Sequence, residues 1–138
     1  MTRYCCPNCW GNFSINYGIC PECKFDIDHF YKEQTYFRKL VAALHNPEPV
    51  TRDRAVAILG KMGDSGAVPP LLELLHTTDD YYTMRTIIES LELLGGDEAY
   101  QAIQMYAGHK SVIVRNAARD VCARRRSGIE FLVKKEAV

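Results

Sequence analysis

Cysteine dominates the chemistry available to this chain of 138 residues, because five of its six cysteines fall within CCPNCWGNFSINYGICPEC, Cys5 to Cys23. Four of them form two matched pairs, Cys6-Pro-Asn-Cys9 and Cys20-Pro-Glu-Cys23, separated by ten residues that include Gly11, Asn12, Asn16 and Gly18. Two residues between cysteines let both sulfurs turn to one side, and the backbone N–H groups that follow can point at the thiolates. Proline after the first cysteine of each pair fixes φ and stiffens the turn. Two such pairs supply the four thiolates of a closed tetrahedral metal site. Cys5 stands outside the set, since only Cys6 keeps the two-residue spacing to Cys9.

Residues 5 to 25, with their paired C-P-x-C knuckles and hairpin-like excursion, resemble a zinc ribbon of the rubredoxin-like kind. One departure from that pattern is visible: glycine often follows the second cysteine of each knuckle, and here Trp10 and Lys24 stand there, with Gly11 one position late. The expected cofactor is one structural Zn2+ per chain on Cys6, Cys9, Cys20 and Cys23. Iron suits the same sulfurs, but no redox partner motif accompanies them. A thioredoxin-type dithiol needs a helix opened by the C-x-x-C inside a βαβ unit, which does not follow. A disulfide framework is the third reading. Twenty-odd residues bury too little apolar surface to fold alone, and structural zinc contributes on the order of 10 kcal/mol. Trp10, Phe13, Ile15, Tyr17 and Ile19 then read as the module's small core, with an aromatic nucleic-acid platform at Trp10, Phe13 and Tyr17 as the alternative.

The elements that must carry this module are helical. From Asp28 the period changes: Phe30, Phe37, Leu40, Val41 and Leu44 share a stripe, which predicts a helix over about 28–45 with Asp28 as N-cap. Asn46-Pro47-Glu48-Pro49 ends it. A second helix, about 50–62, turns Ala55, Val56, Ile58, Leu59 and Met62 inward and stops at Gly63-Asp64. The helix-turn-helix unit returns over 67–75 with 82–94, and over 99–107 with 112–125. Markers recur at matching intervals: Arg52, Arg85 and Arg115 at 33 and 30, Leu59 and Leu91 at 32, Ala67 and Ala99 at 32, His45, His76 and His109 at 31 and 33. Pro69 and Pro70 sit where a first helical turn tolerates a missing N–H.

The segment TRDRAVAILGKMGDSGAVPPLLELL resembles a HEAT repeat of the short, roughly 30-residue type named after phycobilisome lyases. The likeness is close at Arg52, Ala55, Leu59, Gly60, Gly63, Asp64, Ala67, Pro70 and Leu71, and extends more loosely over about 30–127. VRNAARDVCA is a recognisable third second-helix, and MRTIIESLELLGG the most divergent. The resemblance implies a mainly α fold, a short α-solenoid of about three helical hairpins, with second helices lining a face that binds other proteins. The expected domains are the ribbon, 1–27, and the helical array, 28–138. No Gly/Ser-rich linker parts them, so the ribbon is expected to cap the first hairpin rigidly. Ile129, Phe131, Leu132 and Val133 are expected to fold back as a closing segment after Ser127-Gly128.

Charge is balanced overall, 17 bases against 17 acids, which argues against a polyanionic partner or a membrane surface. The balance hides a division: residues 64–107 hold eight acids and one base, a net −7, and residues 108–138 hold eight bases and three acids, a net +5. The N-terminus lacks the apolar core of a signal peptide, and no apolar run approaches the length of a membrane helix, so a cytoplasmic location is expected. Arg52, Arg85 and Arg115 read as structural partners of acids or loop carbonyls. The histidines read as helix-end caps, since helices about 8–10 Å apart cannot bring three rungs onto one ion. Cys122 reads as a small buried hydrophobe, and Arg119 with Arg124-Arg125-Arg126 as a solvated basic helix end, phosphate contact being the alternative. Asp79, Asp80, Tyr81 and Tyr82 fall in the longest inter-helix loop, a weak candidate for partner contact.

These features point to a non-enzymatic adaptor that binds a protein partner, one with a basic segment suiting the −7 region. Arg54, Ala57, Lys61, Thr86, Glu89, Glu92 and Asn116 are the expected contact residues. Nucleic-acid association through the ribbon and the basic end is the alternative, weakened by the ribbon's few bases, Arg3 and Lys24. A bilin lyase-like activity is the third reading, implied by the repeat family's name, but no motif couples a nucleophile, a base and an oxyanion donor.

Overall fold

The computed structural model describes the backbone of residues 3–136 and the side chains of residues 3–128. Two compact units make up the chain, Met1–Ala55 and Val56–Val138.

In the first unit, β1 (Tyr4–Cys5) pairs antiparallel with β2 (Asn12–Phe13), placing Tyr4 opposite Phe13 and Cys5 opposite Asn12. An isolated bridge joins Ile19 to Asp26. Two short helices follow, α1 (Ile27–Glu33) and α2 (Tyr36–Ala43), then the start of α3 (Pro49–Met62). The single helix expected over 28–45 is thus broken at Gln34-Thr35. Thr35 is extended and its hydroxyl accepts from Arg38 N–H, so it caps a new helix instead of continuing the old one. Asp26 rather than Asp28 is the N-cap of α1, its carboxylate accepting from His29 N–H at 2.9 Å. Gly18 O accepts from both Ile27 N–H and Asp28 N–H, which ties the first turn of α1 to the ribbon.

The ribbon's apolar centre differs from the one expected. Cys6, Cys20 and Ile27 are buried, with Phe13, Cys23 and Phe25 packed against them. Ile15, Tyr17 and Ile19 are 60%, 41% and 57% exposed. Of the excursion's side chains Phe13 packs over the sulfurs, and Phe25 and Ile27, beyond Cys23, complete the cover.

The second unit is built from the remainder of α3, a 3-10 turn at Ser65–Ala67, α4 (Val68–Thr77), α5 (Tyr81–Leu94), α6 (Asp97–Met105) and α7 (Val112–Glu136). The second and third helix-turn-helix units read from the sequence are present, as α4 with α5 and α6 with α7. Its core comprises Val56, Leu59, Leu71, Leu75, Ile87, Ile88, Leu91, Ile103, Val114 and Ala118, all fully or almost fully buried. The inward stripe of α3 is narrower than expected: Ile58 is half-buried and Met62 is 43% exposed. Gly60 explains the tightness of one crossing, because a Cβ there would lie 2.7 Å from Ser90 Cβ and 2.8 Å from Ser90 Cα. Ser90, itself buried, donates its hydroxyl to Val56 O at 3.0 Å. Glycine and serine thus let α3 and α5 approach where two larger residues would hold them apart.

Helix ends obey local rules. Asp64 and Asp80 cap by accepting backbone N–H groups, and Gly63, Gly95 and Gly96 take the positive φ values that close α3 and α5 and open α6. The loop before α5 is shorter than expected. Asp80 is a cap and Tyr81 and Tyr82 already lie in the helix, leaving only residues 78–80 between α4 and α5. The array does not turn back at Ser127-Gly128, because α7 runs through both to Glu136. The side chains of Ile129, Phe131, Leu132 and Val133 lie outside the described residues. No described helix is long and apolar enough to cross a membrane.

Candidate metal centre

The two knuckles repeat one backbone design. In the first, Cys6 N–H donates to Gly11 O and Trp10 N–H donates to Cys6 O. In the second, Cys20 N–H donates to Phe25 O and Lys24 N–H donates to Cys20 O. Each turn closes through a residue of positive φ, Trp10 at 61° and Lys24 at 64°. These are the two positions where glycine usually stands, so the departure from the ribbon pattern leaves the geometry intact and places two L-residues in the left-handed region at a cost of roughly 1–2 kcal/mol each.

No disulfide joins any two of the six cysteines in this structure. Within the knuckles the sulfurs of Cys6, Cys9, Cys20 and Cys23 all lie within 4.8 Å of one another, and the cross-knuckle pairs Cys6–Cys23 and Cys9–Cys20 are both 3.6 Å apart. Four ligands at a Zn–S distance of about 2.3 Å on a tetrahedron stand about 3.8 Å from one another, so the sulfurs have the spacing a single ion requires and could hold one. Cys6 and Cys20 are fully buried, Cys23 half-buried and Cys9 exposed. Among the described residues no other group of three or more His, Cys, Asp or Glu side chains converges in this way.

Polar groups around the sulfurs sort their protonation. Asn8, unremarked in the sequence, donates its backbone N–H to Cys6 Sγ and its side-chain amide to Cys23 Sγ at 3.5 Å. That amide, helped by Phe25 N–H, lowers the Cys23 thiol to about 6. Burial pushes the Cys6 thiol up. At Cys9 the Gly11 N–H favours the thiolate, but desolvation and the sulfurs of Cys20, Cys23 and Cys6 outweigh it and push the thiol up to about 12. Four sulfurs this close cannot all ionise unaided. A divalent cation among them favours every thiolate.

The second unit answers the remaining expectations. His76 Nδ1 and the Tyr106 hydroxyl share a hydrogen bond of 2.8 Å, Ser111 N–H donates to His109 Nδ1, and the rings of His76, Tyr106 and His109 stack in series, with Tyr81 edge-on to His109. Instead of capping the ends of α4 and α6, His76 bonds the Tyr106 side chain and His109 accepts from the turn ahead of α7. Arg115 donates to His109 O at 3.0 Å, the loop-carbonyl role expected, while Arg85 lies over the Tyr82 ring and beside Glu89, and Arg52 approaches Asp53 at 3.9 Å.

The arginine run is largely exposed, as expected, but it lies inside α7 and not at a helix end, and several of its members are paired. Arg124 makes a two-pronged contact with Glu92 at 2.6 and 2.7 Å, Arg125 pairs with Asp97 at 2.8 Å over the Tyr100 ring, and Arg119 donates to Ala107 O. Glu92 and Asp97 of the acidic segment thus pair with arginines of the basic one. Cys122 is only half-buried, because Val114, Ala118 and Val121 form the inward stripe of α7. Of the expected contact residues, Arg54, Lys61, Glu89 and Asn116 are exposed, Ala57 and Thr86 are half-buried, and Glu92 is engaged by Arg124.

A phycocyanobilin lyase subunit alpha from Picosynechococcus sp. is 41% identical to this chain over 68 residues, 49% of the chain and 25% of the relative. The chain thus spans about a quarter of the length of that curated relative. Residues 37–123 match the family described as HEAT repeats, so helices that follow a four-cysteine ribbon-like module are those of a HEAT-repeat protein, the family to which this chain belongs.

Proposed function

We propose that this chain is a non-enzymatic protein-interaction scaffold. Cys6, Cys9, Cys20 and Cys23 hold one structural zinc ion, residues 1–27 fold around it, and residues 28–138 form the helical platform on which a protein partner docks. The observation that carries the metal assignment is the 3.6 Å spacing of cross-knuckle sulfurs. Four thiolates complete a tetrahedral shell and leave no open position for substrate or water, which supports a structural over a catalytic ion. Zinc is favoured over iron because the site has no second feature suited to electron transfer. HEAT-type hairpins commonly serve protein recognition.

Exposed Glu73, Asp79 and Glu98 suit a basic segment of the partner, although Glu92 and Asp97 are engaged by arginines. Nucleic acid fits less well, because Arg119, Arg124 and Arg125 are committed within the fold. Six free thiols suit the reducing cytoplasm. The test is copurification of the chain from its native host with metal analysis of the same sample. About one zinc per chain and a protein retained at stoichiometric amount support the proposal. Absence of zinc with every thiol titratable rejects the ion, and retention of nucleic acid alone, with a steep salt dependence, rejects the scaffold.

A second reading follows from the cyanobacterial relative: the chain serves as a piece of a bilin lyase assembly. Incubation with phycocyanobilin, followed by a search for a covalent adduct, decides it, and no adduct sets this reading aside.

A further inference from the structure

One cleft, formed wholly within Met1–Ala55, borders the first knuckle at Pro7 and Trp10 and has no part in the scaffold proposal. We infer that it binds a small aromatic anion, a planar ring system carrying a carboxylate or a phosphate. The cleft has a volume of about 680 Å3 and is lined by Arg3 and Trp10 from the ribbon and by Phe30, Tyr31, Lys39 and Asn46 from the helices. That volume lies within the range of small-molecule sites, about 300–1,000 Å3.

Its walls offer rings and an excess of donors. Phe30 and Tyr31 meet edge to face at 5.2 Å, and Tyr31 stays 47% exposed, so a flat ligand has aromatic surface to contact. Two cations, Arg3 and Lys39, line the cleft against one acid, Glu48. Lys39 Nζ donates to Tyr31 O at 2.6 Å, which fixes the ammonium at the wall and leaves it donors to spare. Asn46 is 9% exposed. Its Oδ1 accepts from Glu48 N–H at 2.9 Å, while its amide N–H groups have no protein acceptor among the described residues. These donors are open to solvent, and an anion in the cleft offers them a stronger, charge-assisted acceptor. Glu48, whose carboxylate accepts from the Thr51 hydroxyl, keeps the anionic end toward Arg3 and Lys39.

Trp10 is the chain's single tryptophan, and because it also closes the first knuckle its fluorescence is read with the metal content held constant. The metal-loaded full chain is titrated with 1-naphthoate and with AMP, and with 1-naphthalenemethanol as the neutral counterpart, with calorimetry in parallel. Saturable binding of at least one anion is expected at a Kd of about 1 mM or tighter, at least about tenfold tighter than the neutral alcohol. Whichever of carboxylate and phosphate binds more tightly identifies the natural group. Arg3→Gln should weaken binding about fivefold, and Asn46→Asp, which keeps the Oδ1 acceptor and removes the donor, by more. Circular dichroism verifies that both variants are folded. The inference fails if neither anion saturates, if the alcohol binds as well as the anions, if neither folded variant weakens binding, or if only single-stranded oligonucleotides bind.

Discussion

Replacing Gly60 by alanine tests a close helix crossing in the second unit. The new Cβ would stand 2.7 Å from Ser90 Cβ and 2.8 Å from Ser90 Cα, where ordinary contact begins at 3.4 Å. Because one of the opposing atoms is backbone, no rotamer change relieves the overlap, and α3 and α5 must part by about 0.7 Å at this point. Overpacking costs about 1–3 kcal/mol, and contact with a backbone atom puts this site at the upper end, about 2–3 kcal/mol. Alanine recovers about 1 kcal/mol in helix propensity over glycine, so the expected net loss is about 1–2 kcal/mol. For a chain of this size that corresponds to a fall in Tm of about 3–10 °C. Urea unfolding followed by circular dichroism measures the loss as a shift of midpoint without a change of slope. Gly108→Ala is the control, since no atom lies within 4 Å of a Cβ at that position, and it should change stability by less than about 0.5 kcal/mol. A Gly60→Ala variant as stable as the parent would refute the reasoning.

Other predictions concern the sulfurs and the charges. Cys20→Ser removes a fully buried ligand and should lower metal content to near zero, with loss of the two-stranded pairing seen by NMR, while the HEAT repeats keep their helical signal. Metal uptake should strengthen as pH rises from about 6 to 8, because the raised thiols of Cys6 and Cys9 hold protons that must leave; competition titrations against a chromophoric chelator measure it. In the metal-free chain Cys23, lowered to about 6, favours the fold above its unfolded value near 9, and that contribution is lost as pH falls through 6. Cys9, raised to about 12, disfavours the fold as pH climbs from 9 toward 12. A double-mutant cycle on Arg124→Ala and Glu92→Ala should give a coupling of about 0.5–1 kcal/mol, shrinking at high salt, because the pair is bidentate but exposed.

The metal centre was legible because its signal is local: pairs of cysteines two residues apart force their sulfurs together whatever follows. Helix pairs were legible for a similar reason, since Leu59 and Leu91, or Ala67 and Ala99, are core positions repeated at one interval and all four are buried. Local signals misled where a distant residue competed. Asp26 and Asp28 are equal as caps in sequence, and the tie of Gly18 O to Ile27 and Asp28 decides between them by starting the helix earlier. Ile15, Tyr17 and Ile19 are apolar and close to the cysteines, yet Phe25 and Ile27 take the interior, because coverage of the sulfurs depends on where α1 leaves the ribbon. The arginine run read as a helix end because nothing in its spacing reveals that Glu92 and Asp97 stand opposite.

The bonds of Glu92 to Arg124 and of Asp97 to Arg125 join residues 32 and 28 apart, about one repeat length. An inserted or deleted unit would therefore leave like signs facing each other unless it carried its own acid and base in step. Growth or shrinkage of this array by gene duplication is restricted to cuts that preserve that alternation, and a fragment ending before α7 would carry 14 acids against 10 bases, with Glu92 and Asp97 stripped of their arginines.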